Sequence, residues 1–134
     1  MGLDQNAFIG VITEKRTDPE TGQEYDKKII QESFYWRKHA RLQEFMEDRW
    51  VQKTGRTAVE LNCEDMRLTE EDINLLEKAI LDGYTEHVSE GGMFYGHQFQ
   101  EESVKEYREY DLQFVERART AIADGTHVIY HCWW

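Results

Sequence analysis

The chain has one proline, two cysteines and no apolar run of the roughly 18 residues that a membrane-spanning helix needs. Two thiols in 134 residues are too few for a disulfide scaffold, so Cys63 and Cys132 read as ordinary reduced core residues. The single proline, Pro19, lies in Asp18-Pro19-Glu20-Thr21-Gly22 and leaves the rest of the chain free for regular structure. Basic residues are also scarce: 16 Lys and Arg face 27 Asp and Glu, a formal charge of −11. Residues 1–60 carry ten Lys/Arg against eleven Asp/Glu, whereas residues 61–134 carry six against sixteen. The second half therefore repels a phosphate backbone, and no direct nucleic-acid binding is expected. The start, Met1-Gly2-Leu3-Asp4-Gln5-Asn6, lacks the basic and apolar regions of a signal peptide, so a cytoplasmic location is the expectation, with no membrane partner.

Seventeen aromatics supply large, stiff core side chains, and 134 residues suffice for one domain over 1–134. Phe8–Thr13 is apolar and β-branched and predicts a strand. The Pro19–Gly22 turn and an extended Gln23–Phe34 complete an N-terminal hairpin with its tip near Gly22. From Tyr35 to Lys53 the apolar spacing becomes helical, through Tyr35, His39, Leu42 and Trp50, and Gly55 is placed to end the helix. Arg37 with Arg41, and Arg49 with Lys53, lie one turn apart on its other side. Ala58–Cys63 alternates weakly and predicts a short strand. Thr69 followed by Glu70-Glu71-Asp72 has N-cap chemistry for a helix that buries Ile73, Leu76 and Ile80 and stops at Gly83. Val104, Tyr107, Asp111, Phe114, Val115, Ala118 and Ile122 trace a long helix ending at Gly125, and His127–Trp134 predicts a final strand. The fold class is therefore α+β: a small, mostly antiparallel sheet with an N-terminal hairpin and about three packed helices.

Several groupings invite chemistry. His127 and His131 are four apart, but four strand residues span about 13 Å, too far for two ligands of one metal, so no metal and no cofactor are expected. Gly91-Gly92-Met93-Phe94-Tyr95-Gly96-His97 lacks the Gly-Lys-Ser/Thr ending of a phosphate loop. Its glycines either permit tight turns around Phe94 and Tyr95 or let a ligand approach the backbone. Asp111 on an apolar stripe must be paired, with Arg37 or Arg41 as the candidate partner. The densest grouping is Phe34-Tyr35-Trp36-Arg37-Lys38-His39-Ala40-Arg41, where three aromatics run into cationic groups. Arginine and aromatics together suit planar anions. The candidate ligand-binding set is Tyr35, Trp36, Arg37, Lys38, Arg41, Phe94, Tyr95, His97, Asp111 and Trp133. No catalytic nucleophile with a neighbouring base is identified.

The blocks Met1-Gly2-Leu3-Asp4, Tyr35-Trp36-Arg37-Lys38-His39-Ala40, Gly92-Met93-Phe94-Tyr95-Gly96, Tyr110-Asp111-Leu112 and Tyr130-His131-Cys132-Trp133-Trp134 resemble a family of small proteins of bacteriophages and prophage-like bacterial regions. The blocks run from end to end of the chain. Asn6-Ala7 stand where that family has an aromatic–apolar pair, and Arg41-Leu42-Gln43 where it has Ile-His. The resemblance implies a phage-type origin and one compact domain, and carries no established activity. By analogy with small phage accessory proteins, the expected role is host–virus interaction or counter-defence in the host cytoplasm. The expected action is non-catalytic binding of a small anionic, nucleotide-like ligand or of a host protein. The alternatives are an acidic mimic that blocks a host nucleic-acid-binding factor, and a small hydrolase or nucleotide-modifying enzyme using Asp111 or His97. Trp133 and Trp134 either close the core or form a homodimer contact.

Overall fold

The structure, a computed structural model, describes residues 2–87 and 100–134. In chain order the elements are β1 (Asp4–Thr17), β2 (Glu24–Ile29), β3 (Glu32–Arg37), α1 (Ala40–Thr54), a 3₁₀ turn (Ala58–Leu61), β4 (Asp65–Leu68), α2 (Glu70–Leu81), α3 (Gln100–Ala123) and β5 (His127–Trp133). The strands form one five-stranded antiparallel sheet beneath three helices, as the α+β pattern predicts. Residues 4–9 of β1 are central, pairing β3 on one side and β5 on the other, and β4 adds to the outer edge of β5. Residues 12–17 of β1 pair only with β2 and project as a two-stranded arm. The arm begins where the register with β5 shifts between Ile9 and Val11. Gly10 makes that bulge with φ +71, and a Cβ there would lie 2.4 Å from the Gln31 side-chain oxygen.

Strand alternation divides the sheet into two faces. Leu3, Gln5, Ala7 and Ile9, with Phe34, Trp36, Met66, Leu68, Val128, Tyr130 and Cys132, point to the helices. There they meet Leu42, Phe45, Met46, Ile73, Leu76, Ile80, Phe114 and Val115 in one continuous core. The opposite face carries Asp4, Asn6, Phe8, Tyr35, Arg37, Asp65, His131 and Trp133, all exposed or half-buried. No described helix is long and apolar enough to cross a membrane.

The hairpin tip, the capped start of α2, the long helix and the final strand fall where the sequence places them. Four elements differ. β1 starts at Asp4 rather than Phe8, and the extended Gln23–Phe34 stretch is divided between β2 and β3. The helical spacing from Tyr35 is interrupted: β3 continues to Arg37, Lys38 turns with φ 56, and α1 starts at Ala40. The alternation Phe34-x-Trp36 wins because it buries both rings in a sheet pairing with β1. Ala58–Cys63 is mostly a 3₁₀ turn, and the strand is the following Asp65–Leu68. Four residues are too short to announce themselves, and their burial alternates only because β5 lies alongside.

Arg49 and Lys53 are not free surface cations. They donate to the buried Asp72 carboxylate at 2.7 and 2.5 Å, which also accepts from the Thr69 backbone N–H at 2.8 Å in a capping box. Burial pushes the Asp72 carboxyl up, but the hydrogen bonds from Lys53, Thr69 and Arg49 outweigh it and hold the group below its ordinary value of 3.8. Its contribution to stability is complete above the unfolded value and disappears as the pH falls below 3.8 and through the lower folded one. Urea midpoints of the wild type and Asp72→Asn should therefore differ most near neutrality and converge in acid. A gap unchanged down to pH 2.5 or so would contradict this.

Candidate functional site

The segment from Tyr35 to Arg41 is split by the fold into a buried half and an exposed half. In the buried half, the Asp111 carboxylate of α3 accepts three hydrogen bonds. They come from Trp36 Nε1 at 2.7 Å, His39 Nε2 at 2.8 Å and the Tyr84 hydroxyl at 2.8 Å. Each of these side chains is at most 1 % exposed. Because an ionised carboxylate only accepts, His39 donates from Nε2, and its buried Nδ1 has no hydrogen-bond partner among the described residues. The His39 ring stacks on Tyr107, with centroids 5.2 Å apart. Burial, together with the Asp111 charge, pushes the Tyr84 phenol well above its ordinary range.

A second string of polar contacts runs between the sheet and α1. Gln5 Oε1 accepts from the His39 backbone N–H at 2.9 Å, and Gln5 Nε2 donates to the His39 carbonyl at 3.1 Å and to the Tyr130 hydroxyl at 3.0 Å. Tyr130 donates to Gln43 Oε1 at 2.5 Å, and Gln43 Nε2 reaches Cys132 Sγ at 3.4 Å.

Two sequence expectations are corrected here. Trp36 and Asp111 were candidate ligand contacts, but both lie in the core bonded to one another, with no surface left for a ligand. Asp111 is paired with Trp36, His39 and Tyr84, not with Arg37 or Arg41, and among the described residues it faces no open pocket of the kind a hydrolase would need. The reason is geometric: β3 extends three residues further than the helical spacing implies, through Tyr35, Trp36 and Arg37, which puts Arg37 on the opposite face and Trp36 inward. Arg41 is half-buried and donates to the Gly83 carbonyl at 3.2 Å. Phe94, Tyr95 and His97 lie outside the described residues.

The exposed half is assembled by strand register. Asp4 stands opposite Arg37 on one side and Trp133 on the other, and Asn6 stands opposite Tyr35 and His131. Directly opposed residues share a face, so Tyr35, Arg37 and Trp133 form one cluster around Asp4 on the open side of the sheet. Tyr35 is 48 % and Trp133 60 % exposed. The Tyr35 hydroxyl donates to Asp4, and this bond, reinforced by slight burial and the Asp4 charge, raises its pKa. The space above Gly2 lies 3.8 Å from Arg37 Nη2 and 3.9 Å from Lys38 Cε, so both cationic side chains converge on the same corner. Arg37 makes no ion pair among the described residues. Further along the face, His131 Nδ1 is 3.0 Å from Asp65 Oδ1, and Lys28 of the arm is 3.3 Å from Asp65 Oδ2. The arm thus curls across the open face toward β4.

Sequence reasoning missed Asp4, Asn6 and His131 as members of this surface. The signal was present in β1, whose alternation Asp4-Gln5-Asn6-Ala7 becomes legible once the strand is begun at Asp4 rather than Phe8. It also missed the tyrosines of α3 that shield the β3 edge: Tyr110 accepts from the Tyr35 backbone N–H at 2.9 Å and Tyr107 from that of Arg37 at 3.3 Å. Among the described residues no group of three His, Cys, Asp or Glu side chains is placed to hold a metal ion. Comparison with protein-family models, curated proteins and solved structures finds no match for the chain. What stands established is an α+β protein whose sheet has one face uncovered by helices among the described residues.

Removing the Asp111 carboxylate orphans three buried donors, so Asp111→Ala should cost about 3–5 kcal/mol in urea unfolding. Asp111→Asn keeps one acceptor oxygen and should cost less; an alanine variant within about 1 kcal/mol of wild type would refute the assignment. Cys132 is a buried thiol, and burial, against a smaller opposing effect of the Gln43 hydrogen bond, pushes it up to about 12. Cys63 is exposed. An aromatic disulfide reagent should therefore label one thiol per native chain and two per denatured chain. Rapid labelling of both in the native protein would contradict this.

Proposed function

We propose that this chain is a non-catalytic binding protein of the phage-accessory type its sequence blocks resemble, and that it holds a planar, anionic, nucleotide-like ligand on the open face of the sheet. The observation that carries the reading is an arginine without an ion-pair partner among the described residues, set beside two exposed aromatic rings on adjacent rows of that face. Arg37 and Lys38 would take the phosphate, the guanidinium as a two-pronged donor and the ammonium as a point charge. Tyr35 and Trp133 come from strands on either side of β1, two strand spacings or about 10 Å apart, and would flank a planar ring laid on this face. Asp4 accepts from Tyr35 and has acceptor capacity left for an amino or hydroxyl group. Two cations and one carboxylate at the corner favour an anion, even on a protein whose total charge is −11. A host-cell cytoplasmic setting belongs to the same proposal.

The test is equilibrium titration of tryptophan emission with the four common nucleoside monophosphates, with adenosine as a ring without phosphate and pyrophosphate as phosphate without a ring. At least one nucleotide should quench emission more tightly than either fragment. Arg37→Gln should weaken it about 10- to 100-fold, the loss of one charge-assisted contact. Trp133→Phe should remove most of the signal change. Absence of quenching by all four nucleotides, or wild-type affinity in Arg37→Gln, would defeat the proposal.

A further inference from the structure

On the side of the sheet opposite the open face, α1 and α2 enclose a groove of about 800 Å³ that uses none of the residues assigned above to the ligand. Phe45 forms its floor, with Ala79 half-buried beside it, while Leu75 and Leu81 stand at 37 % and 58 % exposure along the α2 wall. Single exposed leucines are common on protein surfaces; two that line one concavity over an aromatic floor are an apolar track. The track is bordered by carboxylates: Asp48 on α1, Glu77 on α2, and Asp82 and Glu86 beyond its end. The basic side chains that also line it do not balance them. Arg49 is committed to the buried Asp72, and His87 is bonded to Asp48 at 3.2 Å, which leaves Lys78. Glu77 is paired with Arg119 at 3.2 Å, while Glu86 has no ion-pair partner among the described residues.

We infer that this groove is a docking site for a basic amphipathic helix of a partner protein. The chemistry of the partner follows from the lining: leucine or phenylalanine anchors at helical spacing for Leu75, Leu81 and Phe45, flanked by lysine or arginine for Asp48, Asp82 and Glu86. Its length follows from α2, whose 12 residues span about 18 Å, enough to seat three turns of a helix. The site is independent of the ligand proposal, since it lies on the other side of the core and shares no residue with it.

Selection from a display library of random helical 18-residue peptides tests the inference, with the Leu75→Glu/Leu81→Glu double variant as the counter-selection target. Both leucines are exposed, so the variant should keep the wild-type circular dichroism and thermal midpoint. Enriched peptides are expected to carry a net positive charge and apolar anchors at three- and four-residue spacing, and to bind with affinity that falls as salt rises. In fluorescence anisotropy the leucine double variant should weaken binding at least tenfold, and Glu86→Lys should weaken it by a smaller factor that vanishes at high salt. A selection that enriches nothing, enriches acidic or non-periodic peptides, or yields peptides that bind the double variant equally well would overturn the inference.

Discussion

The carboxylate of Asp111 is the point on which the arrangement of this protein turns. It ties together the end of β3 through Trp36, the entry to α1 through His39 and the turn after α2 through Tyr84. A charge with two oxygens inside an apolar core is tolerable only when its acceptor sites are filled, and here three donors from three segments fill them. The consequence is directional. With Trp36 drawn inward to Asp111, strand alternation leaves Tyr35 and Arg37 no choice but the opposite face. The buried bond and the exposed cluster are two results of the same two-residue period.

Gln5 extends this control to the loop between β3 and α1. Its side-chain amide brackets the His39 backbone, accepting from the N–H and donating to the carbonyl as a neighbouring strand would. That bracket lets Lys38 hold its left-handed conformation and brings the Lys38 side chain to the corner occupied by Arg37. A glutamine in the core, which composition alone would count as a polar residue out of place, thus holds the turn that carries Lys38. The tyrosines of α3 serve the same strand from its edge, pairing backbone N–H groups that would otherwise invite another chain.

The acidic excess is distributed with a similar economy. Asp72 and Asp111 are spent inside, each surrounded by donors, and the Asp72 cluster absorbs Arg49 and Lys53, half of the cations that helical spacing displayed as a basic stripe. What remains outside differs between the two sides of the molecule. Arg37 and Lys38 stand at the corner of the open sheet face, while carboxylates border the groove between α1 and α2. The two sides therefore differ in the sign of their local charge, a property invisible in the total of −11.

Long periodic segments were legible from residue order alone: the Thr69 cap with its acidic first turn, the stripe from Val104 to Ile122, the Pro19–Gly22 turn and the apolar final strand. Each carries its signal locally, in a cap, a period or a turn residue, and so needs no partner to be recognised. The end of β3, the four-residue β4 and the inward or outward sense of each residue from Tyr35 to Arg41 were not legible. Helix and strand periods overlap over so short a stretch, and the choice between them rests on energy gained from distant partners: Gln5 and Ala7 in the sheet, Asp111 from a helix 75 residues on. Sequence spacing placed the aromatic and basic side chains near one another. Which of them face solvent was settled by long-range pairing, because a strand that gains or loses one residue of register exchanges its two faces.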